Sequence, residues 1–144
     1  MYSQVESSTM SSEQGSYPAY KAFDGIKYEF MNFAHTGAVN KPHWIKAVFK
    51  EKLFIFWAEL YNRKDSDAGI VARSNNIDLY TILRTNGQSV ETWFGNTGIL
   101  GVSKKFSCMK YADGIIVRQP IDQSADALNI GEIWMFGRVP KEYF

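Results

Sequence analysis

Apolar and polar residues alternate along several short stretches of this chain, and no stretch shows a sustained 3.6-residue period. The alternation is clear in residues 43–49 and 77–83, which is typical of strands that bury one face. Residues 53–61 form an almost unbroken hydrophobic run, which indicates a strand in the core. The pattern therefore predicts an all-β protein.

Turn signals divide the rest of the pattern into further strands. Asn86-Gly87 is a strong hairpin signal, and Glu51-Lys52 is predicted to turn the chain so that residues 43–49 and 53–61 form a first hairpin. Further strands are predicted at residues 70–72, 92–94, 99–100, 106–109, 115–118 and 128–137, with turns at 95–98 and 111–114. Short strands separated by Gly, Asn and Asp turns favour an antiparallel β-sandwich.

The N-terminal part of the chain is less regular. Residues 3–16 are polar and are predicted to be an extended segment or an edge strand, and residues 20–25 a short helical turn that ends at Asp24-Gly25. Residues 26–42 then form a long irregular loop, and loops of that length usually carry function.

Length and composition indicate a single domain over residues 1–144. With 45% hydrophobic residues, a chain of 144 residues can bury a core of its own. Lys and Arg number 16 against 15 Asp and Glu, and this net charge of +1 offers no basic field for nucleic acid. No apolar stretch approaches the roughly 20 residues that span a bilayer, and no signal-peptide pattern is visible at the N-terminus.

Residues that commonly carry catalysis are few. Cys108 is the single cysteine, so no internal disulfide can form, and its hydrophobic neighbours predict a small core residue. One cysteine and two histidines are too few for a typical transition-metal cluster, whereas a site of oxygen ligands stays open. The chain has no nucleophile motif and no phosphate-binding glycine loop, so we expect no enzyme activity.

The tryptophans add a second expectation. Trp44, Trp57 and Trp134 stand in strand runs and are predicted to lie in the core. Trp93 stands next to a Gly/Asn turn, where a loop aromatic that contacts a ligand or a partner is the alternative to a packing role.

Five segments occur in an order that resembles the discoidin, or coagulation-factor 5/8 C-terminal type, domain. The segments are residues 22–25, 42–45, 62–63, 113–117 and 131–137. The resemblance covers nearly the whole chain and implies the jelly-roll β-sandwich of the galactose-binding-like superfamily.

Within that superfamily the sequence is most similar to the fucose-binding F-type lectins, or fucolectins. These proteins carry a His-Thr pair in the first long loop, here His35-Thr36, and an Asn-Arg-x-Asp strand end, here residues 62–65. A second arginine just before the next strand matches Arg73. The resemblance implies that His35, Arg63 and Arg73 bind the hydroxyls and ring oxygen of fucose or a related hexose.

The chemistry of these residue types fits that role. An arginine presents several donors in one plane, and a histidine nitrogen can accept from or donate to a hydroxyl. Asp65 would orient Arg63 through a charge-assisted pair. The alternative is that Arg63 and Asp65 form only a strand-end salt bridge, with His35 a loop histidine bonded to the backbone.

The sequence departs from the lectin pattern in the loop after residue 65. Ser66-Asp67 stands where many members carry an adjacent cysteine pair that packs against the sugar. The segments from His35 to Arg63 and from Asp65 to Arg73 are both longer than in the usual motif.

The resemblance also implies a structural Ca²⁺. The matching ligands are the carbonyl oxygens of Lys21, Asn32 and Gly131 with the side chains of Asp24 and Glu132, and Ca²⁺ takes about six to eight such oxygens. Ile26 stands where the family often has a polar ligand. The alternative is that Asp24 caps a turn and Glu132 is a buried or paired acid.

Glycans, fucosylated or galactose-related, are the expected partners, and homo-oligomerisation stays open. In the alternative function, the domain is a discoidin-type adhesion or assembly module that binds protein or a lipid head group. Tyr2, Tyr17, Tyr143 and Phe144 would then be contact residues, and a spacer role is a third reading. The resemblance implies an extracellular location, whereas the missing disulfides and the absence of an Asn-x-Ser/Thr sequon favour the opposite.

Overall fold

The computed structural model describes residues 2–39, 41–120 and 127–141, without the side chain of Tyr2. Its strands are β1 (Val5–Met10), β2 (Ala34–His35), β3 (Trp44–Tyr61), β4 (Asp78–Thr85), β5 (Gln88–Asn96), β6 (Ser103–Arg118), β7 (Asn129–Ile130) and β8 (Glu132–Arg138). The helical segments are α1 (Ala68–Val71) and the 3-10 turns Tyr2–Gln4, Ala19–Phe23 and Ala72–Ser74. Neighbouring strands pair antiparallel, and the predicted all-β sandwich is confirmed.

Two long strands, β3 and β6, build both layers of the sandwich. The first half of β3 pairs with β1 and with the end of β6, and these strands continue through β4 to β5 in the order β1-β3-β6-β4-β5. The second half of β3 lies between β8 and the beginning of β6. We call these the five-stranded layer and the three-stranded layer.

The predicted first hairpin is wrong. Glu51 and Lys52 lie inside β3, which runs on as one strand of 18 residues. The pairing of β3 with β6 shifts register between Val48 and Leu53. Glu51 and Lys52 therefore lie at an irregularity in the strand pairing, and the chain does not turn back there.

The turn predicted at residues 111–114 is also wrong, because these residues belong to β6. A Cβ atom on Gly114 would lie 2.5 Å from the carbonyl oxygen of Ala47 on the neighbouring strand. The glycine therefore permits a close approach between strands rather than a turn.

Of the remaining local predictions, one turn is confirmed and two strands are wrong. The Asn86-Gly87 hairpin is confirmed, with positive φ angles of 51° and 77° that suit a two-residue turn between β4 and β5. Residues 70–72 are helical, because the Asp67 side chain accepts from the backbone N–H groups of Gly69 and Ile70 and caps α1. Residues 99–100 lie outside the strands.

The prediction that three tryptophans are core residues is wrong. Trp44, Trp57 and Trp134 are half-buried and face outward, since their strand neighbours Ile45 and Ile133 point into the core. Trp93 lies on β5 and not in a loop, and it is 55% exposed.

Aliphatic side chains from both layers fill the core. Its largest fully buried members are Phe33, Ile45, Leu53, Ile55, Leu60, Ile77, Leu79, Ile115, Leu128, Ile130, Ile133 and Met135. Cys108 is buried as predicted, and burial raises the pKa of its thiol to about 11. None of the helices in the described residues is long and apolar enough to cross a membrane.

Candidate functional site

Asn62, directly after β3, holds the strand end in place. Its side chain is buried, and Nδ2 donates to the carbonyl oxygens of Val71 and Gly101, each at 3.0 Å. Its Oδ1 accepts from the backbone N–H of Arg63 at 2.8 Å. One side chain thus fixes two loops and the start of the following segment.

Arg63 is held on two sides. Its Nη2 lies 2.9 Å from Oδ2 of Asp65, and its guanidinium carbon lies 4.1 Å from the ring centroid of Phe33. Phe33 in turn stacks on Tyr17, with ring centroids 4.5 Å apart and planes 8° from parallel. Among the described residues, no acceptor bonds the buried Nε. The ion pair and the ring therefore orient the guanidinium before any ligand arrives.

Asp65 stays ionised in this arrangement. The backbone N–H of Asp67, 2.9 Å from Oδ1, and the Arg63 charge hold the pKa of the Asp65 carboxyl below its usual range. Asp67 itself caps α1. The Ser66-Asp67 segment therefore shapes the turn into α1.

His35, at the end of β2, has a defined tautomer. Its Nδ1 lies 2.6 Å from the carbonyl oxygen of Thr36, and because a carbonyl can only accept, Nδ1 carries the proton and Nε2 is the acceptor. Burial lowers the pKa of His35, and repulsion from the charges of Arg63 and Arg73 lowers it further. The ring is therefore neutral at neutral pH.

Arg73 lies in the 3-10 turn Ala72–Ser74. The Ser74 hydroxyl donates to the buried carbonyl of Asn129, which is the cross-strand partner of His35. Within the described residues, the Arg73 guanidinium forms no hydrogen bond or ion pair. His35 and Arg63 both lie against Phe33, whose ring centroid is 6.1 Å from that of His35 and 4.1 Å from the Arg63 guanidinium carbon. Arg73 stands between Val71, whose carbonyl oxygen Asn62 binds, and Ser74, which donates to the strand partner of His35. We call His35, Arg63 and Arg73 the loop cluster.

A cleft of about 330 Å³ lies beside the loop cluster. It is lined by Tyr28, Phe30, Lys64, Asp65 and Ser66. Phe30 is 73% exposed, and a β-bridge to Lys64 holds it next to the Arg63 segment. Tyr28 and Phe30 were not predicted from the sequence to line a site, although their place in the long loop before His35 was a usable signal.

The predicted metal ligands Asp24 and Glu132 face each other. Glu132 is fully buried, and its carboxylate oxygens form no hydrogen bond of regular geometry among the described residues, although the Asp24 carboxyl and the Gly25 backbone are close enough to act on them. Burial raises the pKa of Glu132 to about 9, and the neighbouring carboxylate of Asp24 adds to the effect. Asp24 accepts from Nδ2 of Asn32 at 3.0 Å and from the backbone N–H of Ile26 at 2.9 Å.

Two other predicted ligands, Lys21 and Gly131, lie on the segments that carry Asp24 and Glu132. Lys21 lies in the 3-10 turn that ends at Phe23, just before Asp24. A Cβ atom on Gly131 would lie 2.5 Å from the carbonyl oxygen of Asn62, so the backbone between β7 and β8 passes close to the end of β3. In the part of the chain that the structure describes, no group of three or more His, Cys, Asp or Glu side chains meets. A cation here would depend on two carboxylates supplemented by amide and carbonyl oxygens.

Comparison with solved structures decides the fold. The chain superposes on a fucose binding module from Streptococcus pneumoniae with a TM-score of 0.74 at 24% identity, over 94% of this chain and 93% of that one. A galactose complex of the family 32 carbohydrate-binding module of NanJ from C. perfringens gives a TM-score of 0.70 at 17% identity, over 90% and 91%. This chain has the galactose-binding-like jelly-roll fold.

A third neighbour is an F-lectin, or fucolectin, from striped bass (Morone saxatilis) serum. It gives a TM-score of 0.72 at 19% identity, and the alignment covers 94% of this chain but 46% of the longer fish chain. The sequence matches neither a protein-family model nor a curated protein. The neighbours are carbohydrate-binding modules and lectins, and the fold that the sequence resemblance implied is confirmed.

Replacing Asn62 by aspartate is expected to lower the free energy of unfolding by about 2–4 kcal/mol. The substitution keeps the acceptor for the Arg63 N–H but removes both donors and buries a charge beside two carbonyl groups. Urea unfolding measures the change. Asn86→Asp at the β4–β5 turn is the matched control, and equal losses in the two variants would show that Asn62 does not hold the strand end.

The affinity of the loop cluster for a neutral glycan is expected to be constant above about pH 6.5, the ordinary pKa of histidine. It should fall at lower pH, because the pKa of His35 is lowered and protonation removes the Nε2 acceptor while adding a third positive charge. NMR titration of the His35 ring alongside glycan binding checks this. A loss of affinity already between about pH 7.5 and 6.5 would contradict a lowered pKa.

Proposed function

We propose that this domain binds glycans through the loop cluster of His35, Arg63 and Arg73, with fucose or a related hexose as the sugar. The observation that carries the proposal is that His35 and Arg63 lie against the same ring, that of Phe33, with Arg73 on the neighbouring turn. It is supported by solved neighbours that are named as a fucose binding module and a fucolectin.

The cluster offers the donors and the acceptor that a sugar requires. A pyranose presents neighbouring hydroxyls, and the Arg63 fork, held by Asp65 and Phe33, can donate to two of them at once. Nε2 of His35 accepts from a hydroxyl. Among the described residues no acid pairs with Arg73, so its donors add to those of Arg63.

The cleft beside the cluster supplies an apolar surface. Tyr28 and Phe30 line it, and a sugar bound by Arg63 can place its CH groups or a methyl group against these rings. In this sequence aromatic side chains thus take the packing role that a cysteine pair has in many related lectins. The site is shallow, and an affinity on the order of 0.1–1 mM per site, raised by multivalency, is expected.

The buried acids form a structural Ca²⁺ site in this proposal. Glu132 fits a cation because its two oxygens are buried, form no hydrogen bond of regular geometry among the described residues and face a second carboxylate. Asp24 and Glu132 would bind it through their side chains and Lys21, Asn32 and Gly131 through their carbonyl oxygens. The cation would supply charge neutralisation, and these residues would then fix the long loop to β8.

A glycan array tests the function directly. Binding of the wild-type domain to fucosylated or galactose-related glycans above the level of Arg63→Ala is the expected result. Binding no stronger than that of the variant on every glycan would end the proposal. Since glycans of this kind are displayed on cell surfaces and secreted proteins, the proposal places the domain outside the cell.

A second candidate function, adhesion or assembly, is favoured by the outer face of the three-stranded layer. Tyr111 and Phe136 are 50% and 53% exposed, and Trp57 stacks on Phe136 with centroids 5.3 Å apart. An exposed aromatic surface of this kind suits a protein partner or a second copy. Light scattering coupled to size-exclusion chromatography, with Phe136→Ser as control, tests for self-association.

Of the aromatic residues that the sequence suggested for such contacts, Tyr17 lies away from this surface. Tyr17 packs on Phe33 beneath Arg63 and so belongs to the loop cluster. Tyr143, Phe144 and the side chain of Tyr2 lie outside the described residues.

A further inference from the structure

A groove of about 310 Å³ crosses the outward face of the five-stranded layer. It is lined by Trp44, Lys46, Val48, Ile82, Arg84, Ser89, Glu91, Asp113, Ile116 and Arg118. These residues come from β3, β4, β5 and β6, and none of them belongs to the loop cluster or its cleft. The volume is at the lower end of the range of small-ligand sites.

The floor of the groove is apolar although it faces away from the core. Ile82 and Ile116 are only 8% and 3% exposed, because the side chains around them rise above the sheet. Trp44 forms a wall on β3, where Ile45 and Ala47 point inward and Trp44 therefore points outward. Such a floor can pack against the CH face of a ring-shaped ligand.

One side of the rim is rigid and electrically balanced. Arg118 donates two hydrogen bonds to Glu91, both at 2.8 Å, and its guanidinium carbon lies 5.3 Å from the ring centroid of Tyr80. This bidentate pair reaches from β6 across β4 to β5 and presents both donors and acceptors in a fixed orientation. Groups of this kind suit ligand hydroxyls.

The rim carries two other cations, Lys46 and Arg84. Neither forms an ion pair among the described residues, although the Lys46 charge acts on Glu91 and Nζ of Lys46 lies 5.5 Å from the ring centroid of Trp44. The second acid, Asp113, accepts from the backbone N–H of Arg84 at 2.7 Å and lies 3.9 Å from Nζ of Lys52. The groove therefore has a surplus of positive charge beside an apolar floor.

We propose that this groove is a second ligand site, and that it binds an acidic sugar residue, a pyranose that carries a carboxylate or a sulfate group. The ring would pack on Ile82, Ile116 and Trp44, and the anionic group would pair with Lys46 and Arg84. The site is independent of the loop cluster, so a single domain could hold two different sugar units of one glycan.

The test is an NMR titration of methyl-labelled protein with two kinds of probe. The acidic probes are the methyl glycosides of glucuronic acid, galacturonic acid and 6-sulfated galactose, and the neutral probes are the corresponding glucoside and galactoside. At least one acidic probe is expected to shift the methyl signals of Ile82 and Ile116, with an affinity about tenfold above that of its neutral counterpart.

Variants separate this site from the loop cluster. The double variant Lys46→Gln/Arg84→Gln is expected to lose about tenfold in affinity for the acidic probe, whereas Arg63→Ala should bind it unchanged. Lys105→Gln/Arg138→Gln is the matched control, because it removes the same charge from the three-stranded layer, where Lys105 lies over Trp57. The proposal is overturned if no acidic probe shifts the groove methyls, if neutral probes bind equally, or if both double variants behave alike.

Discussion

Replacing Arg63 by alanine is expected to abolish measurable glycan binding, with a loss on the order of 100-fold in affinity. Hydrogen bonds to charged groups contribute roughly 1.5–3 kcal/mol each, and the Arg63 fork is placed to form at least two. Since the starting affinity is weak, such a loss takes binding below detection. Isothermal titration or a glycan array measures it.

The domain is expected to remain folded in this variant. Asp65 keeps its bond from the Asp67 N–H, and Asn62 still fixes both loops, so only the ion pair and the contact with Phe33 are lost. Arg138→Ala is a suitable control, because Arg138 lies over Phe54 and Phe56 on the outer face of the three-stranded layer. Its glycan affinity should match the wild type.

The variant Arg63→Lys distinguishes two roles of the arginine. It keeps the positive charge but replaces the planar fork by a point charge, so a long-range electrostatic role would survive Arg63→Lys and a bidentate role would not. We expect most of the affinity to be lost. Full binding by either Arg63 variant would exclude Arg63 from the sugar site.

Addition of Ca²⁺ is expected to raise the melting temperature of the wild-type domain by about 5 °C or more. A ligand at 100 times its Kd stabilises the folded state by roughly 2.7 kcal/mol, and about 1 kcal/mol moves the melting temperature of a domain of this size by 2–4 °C or more. Differential scanning calorimetry in chelator and in millimolar Ca²⁺ gives the shift. No shift in millimolar Ca²⁺ would remove the metal site from the proposal.

Glu132→Gln separates this effect from non-specific salt. The variant should lose the response to Ca²⁺. Its melting temperature in chelator at neutral pH should exceed that of the wild type, because the raised pKa of Glu132 forces the acid to take up a proton on folding, whereas glutamine needs none. Glu51→Gln, at an exposed position inside β3, is the matched control and should respond to Ca²⁺ like the wild type. A response to Ca²⁺ that survives in Glu132→Gln would place the cation elsewhere.

Local sequence predicted the strand content better than the connections. The Asn86-Gly87 turn was predictable because two residues with positive φ suffice to reverse a hairpin. Glu51-Lys52 and Asp113-Gly114 look equally like turns in sequence but lie in extended strands, because they meet at an irregularity between β3 and β6. Whether the chain turns back at such a pair of residues or continues as a strand with a bulge depends on the partner strand, which lies about 60 residues away along the chain.

The loop cluster was predictable in part. The resemblance selected Arg63, His35 and Arg73, which the structure brings together, but it did not select Phe33 or Asn62 in their supporting roles. Both roles depend on contacts between segments far apart along the chain. The sugar contacts of the three residues and the Ca²⁺ site remain predictions that the experiments above address.

The amino-acid pattern was enough to show that this protein is built from β-strands and to identify the residues that resemble the lectin motifs. Alternation of apolar and polar residues identifies strands because side chains point to opposite faces with a period of two. Which face is the core became clear from the packed layers. Trp44, Trp57 and Trp134 belong to the same alternating pattern as their buried neighbours, yet their side chains face outward. The face of a strand that is buried is the one against which the other layer of the sandwich packs, and the local pattern does not specify that face.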